Sequence, residues 1–60
     1  MIIKYIHFSE PEKEKTYDTV KALRNNPFIN ESQEAFDAWT MKRLAKEKDG
    51  GLIISYEVIN

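Results

Sequence analysis

The titratable side chains of this 60-residue chain are the first candidates for chemistry. His7 is the only histidine, and as a general base it needs a carboxylate or hydroxyl partner, which no local spacing supplies. Glu10, Glu12, Glu14 and Asp18 could act as paired carboxylates. However, acids in the first turns of a helix are typical of a solvated surface that complements the helix dipole. We therefore predict no catalytic residue, and we expect that the chain is not an enzyme.

The usual ligands and loops of metal and cofactor sites are missing from the sequence. The chain has no cysteine, which excludes disulfides and thiol chemistry. A single histidine cannot complete the nitrogen and sulfur ligand sets that are typical of structural zinc. Gly50-Gly51 follows a predicted helix rather than preceding one, so it is not a phosphate-binding loop. We expect no metal and no cofactor.

A group of basic residues in the second half of the chain is the feature that suggests nucleic acid. Lys42, Arg43 and Lys46 lie within one predicted helix, and a local basic patch binds phosphates even where the net charge is near zero. Nine basic residues stand against ten acidic ones, so the chain as a whole offers no basic field to nucleic acid. Basic side chains also complement the dipole at the C-terminus of a helix. Both interpretations, nucleic-acid contact and solubilising charge, stay open.

Two strands and two helices position these residues. Runs of β-branched and aromatic residues predict strands over residues 2–8 and 52–59. Ser9-Glu10-Pro11-Glu12 has the pattern of a helix start and predicts a first helix that runs to about Arg24, with Thr16 and Tyr17 in its apolar stripe. Asn25-Asn26-Pro27 ends this helix.

The second predicted helix runs from Glu31 to about Lys48, with Asn30 as its cap and Ser32 as the alternative. Gly50 or Gly51 ends it. The predicted fold class is therefore α+β with the order β-α-α-β. The two terminal strands pair antiparallel, and the helical hairpin packs on one face.

The second helix is apolar on more than one side, which indicates that it is enclosed. Phe36 and Trp39 share one side with Ala35, and a second side is formed by Ala38, Met41, Leu44 and Ala45. One side could meet a sheet and the other a neighbouring helix, or part of the surface could meet a second subunit. A two-stranded sheet is marginal in water and leaves both edges open. We therefore predict a homodimer, by either edge-paired or swapped strands.

The first functional hypothesis is a protein-binding module. Phe28, Ile29, Phe36 and Trp39 are its predicted contact residues, because they exceed what so small a core can easily enclose. The alternative is a small DNA-binding regulator that uses the basic end of the second helix.

The outline of the alternative resembles the ribbon-helix-helix repressors, which dimerise through an N-terminal strand. The strand at residues 2–8 and the helix start Asn30-Glu31-Ser32 occupy the corresponding places. The sequence departs from that pattern in two ways. Lys4 and His7 lie on opposite faces of the first strand, and the strand at residues 52–59 has no counterpart.

Length and hydropathy set the remaining expectations. Residues 1–60 form a single small domain. No apolar run approaches the roughly 20 residues that span a bilayer, so we expect no membrane partner. The first residues lack the basic segment and cleavage site of a signal peptide, so the cytoplasm is the expected compartment.

Overall fold

The computed structural model describes residues 1–60. The chain forms a small α+β fold with a three-stranded antiparallel sheet and two helices. In chain order the elements are β1 (Ile2–His7), β2 (Lys15–Asp18), α1 (Thr19–Arg24), α2 (Gln33–Asp49) and β3 (Ile53–Val58). The order in the sheet is β2-β1-β3, so β1 lies in the centre and the sheet has two free edges.

The central strand β1 contributes the middle of the core. Ile3 lies opposite Tyr17 of β2 and Val58 of β3, and its side chain is completely buried. Ile3, Leu44 and Ile53 form the core cluster, in which β1, α2 and β3 meet. Because side chains alternate along a strand, Ile3, Tyr5 and His7 share the face of β1 that α2 covers.

The prediction of a first helix starting near Pro11 is wrong. Residues 15–18 form β2, which pairs antiparallel with β1, and α1 begins only at Thr19. The carboxylate of Asp18 caps α1 by accepting hydrogen bonds from the backbone amides of Val20 and Lys21. The Ser9 hydroxyl lies 2.7 Å from Nδ1 of His7 instead of capping a helix.

The physical reason for this difference is tertiary. As part of β2, Tyr17 pairs with Ile3 and packs against the core cluster. If a helix began at Pro11, Tyr17 would not cover the core in this way. The turn before β2 is held by ion pairs from Glu10 to Lys15 (3.0 Å) and to Lys13 (3.3 Å). The free energy gained by burying part of an aromatic side chain exceeds the small local preference of these residues for a helix.

The second helix and the last strand lie close to their predicted positions. Ser32, the alternative cap, accepts a hydrogen bond from the Ala35 amide, whereas Asn30 lies outside α2. At the other end, the Gly50 amide donates to the Lys46 carbonyl, and Gly51 has a φ of 83°, which a residue with a Cβ rarely adopts. The chain then enters β3, which pairs antiparallel with β1 as its predicted terminal partner.

Candidate functional site

The long helix α2 buries one line of residues and exposes the rest. Phe36, Thr40 and Leu44 are buried at intervals of one helical turn, and the Thr40 hydroxyl donates to the Phe36 carbonyl. Ala35, Ala38 and the other residues of the outer side face solvent. Within one chain α2 contacts both α1 and β3, and Leu44 and Met41 of the second predicted side pack in the core, whereas the alanines stay exposed.

Trp39 lies beside the buried residues of α2 and is itself partly exposed. Its side chain is 50% exposed, and its ring stacks on that of Phe36 with a distance of 5.9 Å between ring centres. Phe36 is only 3% exposed. The buried phenyl ring therefore supports an indole that presents its other parts to solvent.

A groove lies between the sheet and the side of α2 that carries Trp39. Its volume is about 240 Å³, and most of its lining is apolar or aromatic. The side chains that line it are Tyr5, His7, Tyr17, Trp39, Thr40, Arg43, Leu44, Glu47, Leu52 and Ile53. A space of this size accommodates one large side chain rather than a cofactor, since ligand pockets usually measure about 300–1,000 Å³.

Arg43 supplies a positive charge at the groove. Its Nε donates to Oε1 of Glu47 at 2.8 Å, and its guanidinium carbon lies 5.6 Å from the centre of the Trp39 ring. The hydrogen bond that Arg43 donates to Glu47 raises the pKa of Arg43 above its ordinary value, and the guanidinium is charged. The terminal nitrogens of the guanidinium make no hydrogen bond within the chain.

His7 lies in the lining of the groove, but its hydrogen bonds are local. Its Nδ1 accepts from the Ser9 amide at 3.2 Å and lies 2.7 Å from the Ser9 hydroxyl. Both contacts are exposed and belong to the turn that follows β1. His7 makes no hydrogen bond to a carboxylate, and no three histidine, aspartate or glutamate side chains converge as metal ligands.

The four predicted partner-contact residues separate in the fold. Phe36 and Trp39 lie together, but Phe36 is buried and offers no surface to a partner. Phe28 is 94% exposed in the connection between the helices, and Ile29 beside it is half-buried. Neither of these two residues lines the groove. Phe28 therefore does not pack into the junction between the helices.

The three residues of the predicted basic cluster have different surroundings in the structure. Lys42 and Lys46 are exposed on α2, while Arg43 is engaged with Glu47 and Trp39. In addition, β1 is hydrogen-bonded on both edges, so it has no free edge for the two-stranded ribbon of the ribbon-helix-helix outline. The nucleic-acid interpretation therefore depends on two exposed lysines and one partly neutralised arginine.

Sequence reasoning missed Tyr5 and Tyr17 as lining residues. The sequence pattern predicts a strand but no functional role for Tyr5, and it predicts a helix at Tyr17, where the structure has β2. Their positions depend on the β1–β2 hairpin, in which Tyr5 pairs with Lys15 and Tyr17 with Ile3. The adjacent β-branched and aromatic residues Thr16 and Tyr17 are the signal that could have indicated this strand.

A second polar cluster joins α1, α2 and the start of β1. The buried Thr19 hydroxyl accepts from the Met1 amino group at 2.7 Å, and the Gln33 side-chain amide donates to Asp37 at 2.9 Å. The Thr19 hydroxyl and the Gln33 amide hold the pKa of Asp37 below its ordinary value, against the opposing effect of burial. This cluster fixes the first turns of α2, from which Trp39 projects.

Three comparisons with known proteins give no relative for this chain: no family model, no curated protein and no solved structure matches it significantly. None of the helices combines the length and the hydrophobicity needed to span a bilayer.

Proposed function

We propose that this protein is a small, non-enzymatic, homodimeric binding module that recognises a protein partner through the groove at Trp39. One observation carries the proposal: a half-exposed tryptophan, held by a buried phenylalanine, lies beside an arginine whose terminal nitrogens have no partner. Tryptophan and arginine are the residue types that most often dominate the energetics of protein interfaces.

The lining of the groove indicates the chemistry of the partner. Its walls are aromatic and aliphatic, which favours an apolar side chain, and its volume of about 240 Å³ suits one such residue. The terminal nitrogens of Arg43 favour a carboxylate next to that residue, because guanidinium binds carboxylates through paired hydrogen bonds. The proposed ligand is a segment with a large apolar residue adjacent to an aspartate or glutamate.

The homodimer in this proposal is supported by the free edges and by the size of the core. Only four apolar side chains, Ile3, Phe36, Leu44 and Ile53, are buried in the single chain. Small domains with so little core commonly gain stability from a partner subunit. A twofold axis also presents two identical grooves, which raises the effective affinity for a bivalent partner.

Selection from displayed random peptides tests the binding proposal. The protein is immobilised, and we expect enriched peptides to carry an aromatic or aliphatic residue next to an acidic one. Their affinities are then measured for the wild type and for W39A, R43Q and V20A. Val20 is an exposed apolar residue of α1 outside the groove, so V20A is the matched control.

We expect W39A and R43Q to weaken the binding about tenfold or more, and V20A to leave it unchanged. Equal affinity of W39A and the wild type would contradict a site at the groove. For the nucleic-acid alternative, a duplex of mixed sequence is titrated between about 50 mM and about 200 mM salt. Binding that falls steeply over this range and is lost in K42A/K46A would favour the alternative.

A further inference from the structure

The two free edges of the sheet differ in ways that bear on how two copies of the chain meet. β2 is a short strand of four residues, and charged side chains lie on it and before it. Lys15 is paired with Glu10, and Glu14 with Lys4. Short length and charge are the features by which proteins prevent a free edge from pairing. The β2 edge is therefore protected.

The β3 edge is not protected in this way. β3 has six residues and contains neither lysine nor proline, and Glu57 is its only charged residue. Ile54 and Val58 are 51% and 44% exposed, and Leu52 and Ile59 beside the strand are also exposed. An exposed hydrophobic edge strand of this length is a template for another strand.

We propose that a second copy of this chain pairs with β3 antiparallel across a twofold axis at Tyr56, so that Ser55 of one chain lies opposite Glu57 of the other. The proposal specifies the edge and register of the homodimer, and it rests on the dimeric part of the function proposed above. The sheet then runs continuously through both chains, with β2 at each outer edge.

The orientation of the backbone groups restricts the register. The Ile59 amide donates to the Ile2 carbonyl at 2.9 Å. Bonded and non-bonded pairs alternate along an antiparallel ladder, so Glu57 and Ser55 also direct their backbone groups towards β1, opposite Lys4 and Ile6. Tyr56 and Val58 direct theirs towards the free edge. Near Ile54 the β1–β3 ladder is shifted by a bulge, which lies beyond this regular part.

Side-chain chemistry selects among the registers that remain. With Tyr56 on the axis, the two tyrosines exchange both backbone hydrogen bonds. Glu57 then faces the uncharged Ser55. A shift of the axis to Glu57 would place the two carboxylates directly opposite each other, which is destabilising. A shift of the axis to Ser55 would place Glu57 opposite the apolar Ile53, which lies beyond the bulge and outside the regular part of β3.

The flank of α2 that lies next to β3 could contact a second copy of the chain. The Lys48 ammonium lies 5.8 Å from the centre of the Tyr56 ring, which places this flank above β3. Ala38, Met41 and Ala45 fall on the same stripe at the spacing of a helix-packing seam, and both alanines are exposed. Small side chains allow two helices to approach closely above the paired strands. Trp39 and Arg43 lie on the opposite flank, so the groove stays open.

Disulfide trapping tests the register, because the chain has no cysteine of its own. S55C and E57C are made as separate variants at exposed positions, mixed under reducing conditions and then oxidised. In the proposed register these positions form a non-bonded pair with Cα atoms about 4.5 Å apart, which suits a disulfide. Two Ser55 residues, or two Glu57 residues, are diagonal neighbours about 7–8 Å apart and do not bridge well. T16C, on the exposed face of the β2 edge, is the matched control.

We expect the mixed S55C–E57C disulfide to exceed each homodisulfide and the T16C–S55C product several-fold in intact-mass spectra. Efficient cross-linking of S55C, which keeps Glu57, with itself would overturn the register. A wild-type dimer without the mixed disulfide would overturn the β3 interface and leave the dimeric function intact. A wild-type monomer would overturn both the interface and the dimeric part of the proposed function, while peptide binding at Trp39 would still be tested separately.

Discussion

The guanidinium carbon of Arg43 lies 5.6 Å from the centre of the Trp39 ring, and its Nε is bound to Glu47 on the following turn of α2. This arrangement holds a cation beside an exposed indole and leaves the terminal nitrogens of the guanidinium without a partner. The pair shares the groove with Tyr5 and Tyr17, which arrive from β1 and β2. An apolar contact surface and a charge for an acidic group are thus combined within a few ångströms.

Removal of the Glu47 charge tests whether Arg43 recognises a carboxylate. In E47Q the guanidinium no longer has a competing anion, so we expect affinity for the selected acidic peptides to rise several-fold. The exposed Arg43–Glu47 pair contributes little to stability, and we expect the free energy of unfolding to change by less than about 1 kcal/mol. Fluorescence titration of Trp39 measures the affinity, and urea unfolding serves as the control. Unchanged affinity together with an intact fold would contradict the role of Arg43.

The aromatic residues of the predicted contact set have opposite structural roles. Phe36 is buried beneath Trp39, so we expect F36A to lower the free energy of unfolding by about 3–5 kcal/mol. Phe28 is nearly fully exposed, so we expect F28A to change the free energy of unfolding by no more than about 0.5 kcal/mol. Urea denaturation compares the two variants. Similar losses in both would show that Phe28 is packed, in this chain or in its dimer.

The pKa of Asp37 gives a pH dependence with a defined sign. Because Thr19 and Gln33 lower the pKa of Asp37 in the folded chain, its contribution to stability is present above the ordinary value of about 3.9 and is lost as the pH falls through the lowered pKa. We therefore expect D37N to be less stable than the wild type at about pH 7, and the difference to shrink at about pH 2. Urea unfolding at both pH values checks this. A difference that stays constant with pH would contradict the assignment.

The start of α1 is tested by two small substitutions. Asp18 caps the helix, so we expect D18A to lower the free energy of unfolding by about 1 kcal/mol. The Ser9 hydroxyl makes only an exposed hydrogen bond to the His7 ring, so we expect S9A to change the free energy of unfolding by no more than about 0.5 kcal/mol. The comparison uses thermal unfolding followed by circular dichroism. A larger loss in S9A than in D18A would favour a helix that begins near Pro11.

Much of the architecture follows from local sequence signals. The β-branched run at the N-terminus, the Ser32 cap and the turn at Gly50-Gly51 each specify an element whose position in the fold agrees with its pattern to within a few residues. The failure at residues 9–18 has a different cause. There the helix signals are local, whereas the outcome depends on the packing of Tyr17 against Ile3 on β1, a contact that no short window contains.

The candidate site was predictable only in part, for a related reason. Trp39 was identified because a lone tryptophan on a small chain has few places to be buried. Phe36, on the same predicted side, is buried, whereas Phe28 is exposed in a connection in which Ile29 is the half-buried residue. The groove needs Tyr5 and Tyr17 from two strands, so its existence depends on the β1–β2 hairpin.

The mass of the protein in solution tests the central claim of a homodimeric binding module most directly. Size exclusion with light scattering is performed on the wild type across a dilution series. For the homodimer we expect a mass of twice the 7.1 kDa of one chain, persisting on dilution. A mass of 7.1 kDa at every concentration would contradict it, and the β3 edge would then be free in the isolated chain.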